Sequence, residues 1–98
     1  MSGDHTIGRL GEIVESMTGR DKGKYSVILG FDGDRLILAD GDRRKYDKPK
    51  RKNARHIRYT GFVAQEVLKA IEETGRVTNA KLRYVLQNYL SNHKDEKN

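Results

Sequence analysis

Between residues 43 and 58 the chain reads RRKYDKPKRKNARHIR, nine lysines and arginines against a single acid, Asp47. Crowding that many cations costs self-repulsion, which a polyanion relieves while releasing its own condensed counterions. A second basic stretch lies upstream, Gly19-Arg20-Asp21-Lys22-Gly23-Lys24. Its glycines permit a tight turn whose backbone N–H groups can face an anion, and Arg20, Lys22 and Lys24 supply charge. Arginine forks onto phosphates and stacks on bases, whereas lysine acts as a point charge. The candidate polyanion contacts are therefore Arg20, Lys22, Lys24, Arg43, Arg44, Lys45, Lys48, Lys50, Arg51, Lys52 and Arg55. Tyr46, inside the longer stretch, is the candidate stacking ring, and Gly19 and Gly23 set the loop geometry. A solvated hairpin and a soluble basic linker would use the same residue types. The aromatic rings of Tyr46 and His56 among the charges, and the stiffening by Pro49, favour a polyanion partner.

Other chemistries find little support. The histidines, His5, His56 and His93, lack metal-ligand spacing. Asp32, Asp34, Asp40 and Asp42 lack the ligand pattern and terminal glutamate of a calcium loop, and they sit where hairpin turns need them. Neither a phosphate-binding Gly-x-x-x-x-Gly-Lys-Ser/Thr nor a nucleophilic Gly-x-Ser-x-Gly occurs. The 98 residues are 35% charged and 35% hydrophobic, which leaves little apolar material to enclose a pocket. The expectation is a protein that is not an enzyme and uses no cofactor or metal.

Lysine and arginine number 20 against 14 acids, a net charge of +6, consistent with RNA, DNA or an anionic membrane surface. Cysteine is absent, so no disulfide framework forms. No apolar run approaches the ~20 residues that span a bilayer. The N-terminal residues show no basic-then-apolar leader. These features predict a cytoplasmic protein without a membrane association.

Two kinds of element must position the charged residues. Over 7–60 the chain is Gly-rich and β-branched and reads as five short strands: Leu10–Met17, Tyr25–Phe31, Arg35–Ala39, Arg43–Tyr46 and His56–Tyr59. Asp32-Gly33-Asp34 suits a type I′ hairpin, Asp40-Gly41-Asp42 repeats that chemistry, and Pro49 ends the fourth strand. Short strands joined by tight turns favour a small closed barrel, since an open sheet of this size would leave unpaired edges. Over 61–91 the pattern becomes helical. Val63, Ala64, Val67, Leu68 and Ile71 line one face, and Gly75 is placed to close the first helix. Thr78 is placed to cap the second, whose stripe is Leu82, Val85, Leu86, Tyr89 and Leu90. Tyr25, Phe31 and Phe62 are expected in the core. Residues 1–6 and 92–98 are expected to be flexible ends.

The segment Ile13–Phe31, IVESMTGRDKGKYSVILGF, resembles the KOW motif of ribosomal large-subunit proteins and transcription–translation factors. The likeness rests on the glycine, the basic residues around Lys22-Gly23 and the apolar strand that follows; the motif's next glycine position holds Ser26. Further on, Asp40–Lys45, Lys48–Lys52 and His56-Ile57 are similar to bacterial KOW proteins related to an archaeal and eukaryotic ribosomal large-subunit family. The resemblance covers roughly residues 7–60. It implies a mainly β N-terminal part, a five-stranded Src-homology-like (KOW) barrel, followed here by two α-helices. It also implies RNA, in particular ribosomal RNA, as partner, with ribosomal proteins as neighbours and a monomer when free. Composition alone does not separate RNA from DNA. The alternative is a protein-interaction adaptor that docks its second helix on a partner, which an exposed Leu82/Leu86/Leu90 stripe would favour.

Overall fold

The run Tyr25–Asp32 alternates ring, β-branched and aliphatic residues with no polar break in its middle, as expected of a strand buried on both faces. In the computed structural model, which describes residues 8–93, it is the second of five antiparallel strands. The strands are β1 (Glu12–Ser16), β2 (Tyr25–Asp32), β3 (Arg35–Ala39), β4 (Lys50–Asn53) and β5 (Ile57–Val63), followed by α1 (Gln65–Thr74) and α2 (Asn79–His93). The expected flexible ends, apart from Asn92 and His93, lie outside the described residues, as does Ile7. No helix among the described residues is long and apolar enough to cross a membrane.

The spatial order is β4-β3-β2-β1-β5, so the two edge strands are consecutive in the chain. A single three-ten turn, Ala54–His56, joins them. In a flat five-stranded sheet the edges would stand about 19 Å apart, at ~4.8 Å per neighbour. A three-ten turn rises only ~2 Å per residue and cannot bridge that gap. The sheet must curl until its edges approach each other, and the fold is barrel-like for that reason. A bulge at Leu29, between the pairs Ile28–Leu38 and Gly30–Ile37, bends β2 and helps the curl.

Curling gives the sheet two apolar faces. Val14, Ile28, Leu36, Leu38 and Ile57 fill the barrel interior. Ile13, Val27 and Ala39 point outward, and the helices cover them with Val67, Leu82, Val85 and Leu86, joined by Val77 from the link between the helices. Period-2 alternation across β1 and β2 thus feeds one core on each side. The helices are half of the second core, and the stripe of α2 is spent on it: Leu82 is fully buried and Leu86 nearly so, while Leu90 is partly exposed.

Several local expectations need correction. The fourth strand is not Arg43–Tyr46. The N–H groups of Asp42 and Arg44 bond to Asp40 Oδ1, and that of Tyr46 bonds to Asn79 Oδ1, so this stretch is a loop satisfied by side chains. The strand instead begins immediately after Pro49, where a missing N–H breaks no ladder bond. The β2–β3 turn has positive φ at Gly33 alone, the first of its central residues, which makes it the II′ type and not I′. Val63 and Ala64 precede α1 instead of lining it, because β5 runs through Gly61 to Val63. Glu12 holds that irregular stretch, its buried carboxylate accepting the N–H groups of Arg9 and Gly61. Thr60 adds a bond from its hydroxyl to the Ile13 carbonyl at 2.6 Å. The caps follow the sequence: the Gly75 N–H closes α1 on the Ile71 carbonyl, and Thr78 Oγ1 accepts the N–H of Lys81.

Candidate nucleic-acid interface

The loop between β1 and β2 and the loop between β3 and β4 lie side by side at one end of the barrel, and a single carboxylate ties them. Lys50 Nζ donates to Asp21 Oδ2 at 2.7 Å, and Arg44 Nη2 stands 3.7 Å from the same oxygen. Asp21 keeps only 14% of its side-chain surface. The Lys50 hydrogen bond, outweighing the opposing effect of burial, holds its carboxyl below the usual value, with help from the charges of Lys50, Arg44 and Lys52. Lys52, nearly buried, adds a second tie by donating to the Thr18 carbonyl at 2.5 Å.

The loop's own backbone differs from the expected anion cradle. The N–H groups of Lys22, Gly23 and Lys24 bond to the carbonyls of Gly19, Ser16 and Asp21. They close the turn, and the N–H groups of Gly19, Arg20 and Asp21, earlier in the loop, form no hydrogen bond among the described residues. Gly19 and Gly23 both have positive φ, as the turn reading requires, whereas Ser26 takes ordinary strand pairing opposite Val14.

The predicted contact residues divide into two groups. Arg20, Lys22, Lys24, Arg43, Lys45 and Lys48 are exposed, and their side chains form no hydrogen bond or ion pair among the described residues. Lys50, Lys52, Arg44 and Arg51 are engaged, the last with Asp32 at 2.8 Å. Arg55 is exposed at the opposite end of β4. Tyr46 packs partly buried against the outer core, and its hydroxyl donates to the Gly75 carbonyl at 3.4 Å. Its ring anchors the loop to the helices. Phe31 and Phe62, expected in the core, are 46% and 42% exposed.

Sequence reasoning missed two further groups. Ser16 and Ser26 are almost fully buried and line a small cleft with Asp21, Lys24, Arg44 and Lys50. Their hydroxyls have no hydrogen-bond partner among the described residues. Only Asp21 gave a signal, as the lone acid in a basic loop. Arg58, the last cation of the longer stretch, belongs elsewhere: it donates to Glu15 at 2.7 Å and to the Tyr25 hydroxyl, and its own pKa is raised chiefly by the Glu15 bond. Asp40 closes the Asx turn described above, and no group of three His, Cys, Asp or Glu residues gathers as metal ligands among the described residues.

No family profile matches the chain. A Bacillus subtilis (strain 168) protein named "Putative ribosome-binding protein YbzG" is 46% identical over 44 residues. The match spans 45% of this chain and 60% of that protein's length.

Proposed function

We propose that this chain is an RNA-binding protein of the ribosome, a KOW-type barrel that grips ribosomal RNA through the ridge where its two basic loops meet. The observation that carries the reading is the Asp21 clasp. It fixes the loops against each other while Arg20, Lys22, Lys24, Arg43, Lys45 and Lys48 stay exposed and uncompensated. Preorganised, unpaired cations on adjacent loops match a phosphate backbone. The name of the similar protein supports the same class of partner for this chain. On this reading the protein works in the cytoplasm without a cofactor, carries out no reaction and is a monomer when free.

The adaptor reading loses its main support, because Leu82 and Leu86 are committed to the core. Titration of a ribosomal RNA fragment at several salt concentrations tests the proposal. Replacing Lys22, Lys24 and Lys45 together with alanine should lower the log–log salt slope by roughly 2–3, at ~0.7–0.9 per phosphate contact. An unchanged slope would remove the loops from the interface.

A further inference from the structure

At the end of the barrel away from Asp21, the β2–β3 hairpin and the three-ten turn enclose an open concavity of about 580 Å³. The hairpin and turn are fastened together by the Ala54 N–H, which donates to the Asp34 carbonyl at 3.1 Å. Phe31 lines this concavity, 46% exposed. Its ring stacks on no other ring among the described residues. Arg55 lines it too, exposed and without an ion pair among the described residues. Asn53 Oδ1 accepts the Arg55 N–H at 2.9 Å, which leaves the Asn53 amide NH₂ as a donor, while the Asp34 carboxylate is an acceptor.

We propose that this concavity binds one unstacked base of a single-stranded RNA, with Phe31 as the stacking surface and the Arg55 guanidinium beside it. The inference rests on the RNA-binding reading and deepens it by naming a second, base-holding site. The composition fits a base better than an apolar side chain: a ring face, a cation, a donor and an acceptor are offered together. The charge fits as well, since Arg55 and the neighbouring Arg35 are both exposed cations without ion pairs among the described residues. β4, with Lys50, Arg51 and Lys52, connects the two ends over roughly 13 Å. A strand whose phosphates sit on the loop ridge can therefore follow β4 and place a base against Phe31. A duplex, whose bases are stacked inside, cannot.

The test compares a short labelled oligouridine with an RNA duplex of equal length at one fixed salt concentration. Phe31→Ala should weaken oligouridine binding about tenfold and leave duplex binding unchanged. The paired change Lys22→Ala with Lys24→Ala should weaken both probes. If Phe31→Ala binds oligouridine like the wild type, or loses both probes equally, the base site is refuted while the loop interface stands. If the wild-type chain binds neither probe, the RNA-binding reading itself fails. A thermal melt checks that Phe31→Ala is folded. If it is not, Arg55→Gln is read in its place, with a selective loss on oligouridine expected and an unchanged affinity refuting the site.

Discussion

Replacing Asp21 by asparagine removes the carboxylate that joins the two basic loops while keeping the side chain's shape. Its partner Lys50 is 30% exposed and Asp21 is 14% exposed, so the pair lies between a surface ion pair and a buried one. Surface pairs contribute ~0.2–1 kcal/mol, and breaking a buried pair costs ~3–5 kcal/mol. The geometry at 2.7 Å is good, and the Arg44 contact at 3.7 Å adds a little, so a loss of about 1–2 kcal/mol at neutral pH is expected. For a domain of this size that lowers the melting temperature by roughly 4–15 °C. The direction with pH follows from the depressed carboxyl. Because the folded state holds Asp21 below its usual value, its contribution is complete above about pH 5 and is lost as pH falls through the lowered value. Urea titrations of wild type and Asp21→Asn from pH 7 downward should therefore converge as the pH falls below the usual carboxylate value. A difference that stays constant in acid would show that geometry, not charge, joins the loops.

Two glycine substitutions and one lysine substitution separate fold from binding. Lys22→Ala should leave the melting temperature unchanged and weaken RNA binding, because its side chain is exposed and forms no ion pair among the described residues. Gly23→Val should cost about 1–2 kcal/mol through its φ of +85° alone, since nothing lies within 4 Å of the added carbon, and should weaken binding by distorting the loop. Gly41→Ala should cost more, about 3 kcal/mol or above by chemical denaturation, because positive φ combines with a close approach to α2. Its Cβ would stand 2.3 Å from the Asn79 carbonyl oxygen, and the loop would have to leave the helix. Equal costs for Gly23→Val and Gly41→Ala would contradict the role given to that contact.

The elements that were legible in the sequence are those with a periodic apolar signal. β2 and β3 stand out by β-branched and aliphatic runs, α2 by its stripe, and the helix ends by Gly75 and Thr78. β4 was not legible because Lys50–Asn53 contains no apolar residue, and its place is set by pairing with β3. The end of β5 was hidden for a different reason. Gly61 looks like a boundary, but the Glu12 carboxylate and the Thr60 hydroxyl satisfy an irregular backbone there, a tertiary arrangement no local pattern encodes. Phe31 reads as a core residue because it closes an apolar strand, but the bulge at Leu29 changes the alternation just before it. The basic residues of the two loops and β4 are visible as candidates. Which of them are consumed by Asp21, Asp32 and Thr18 depends on which loops meet, and that only the fold decides.

The exposed loop cations are proposed to meet ribosomal RNA at a defined place. Ultraviolet crosslinking in cells, followed by sequencing of the attached RNA, tests it for the wild-type chain and for the Lys22, Lys24 and Lys45 alanine variant. A discrete ribosomal RNA peak that falls sharply in the variant is the predicted result. Crosslinks spread in proportion to RNA abundance, or a peak of equal height in both proteins, would show that these cations do not hold ribosomal RNA.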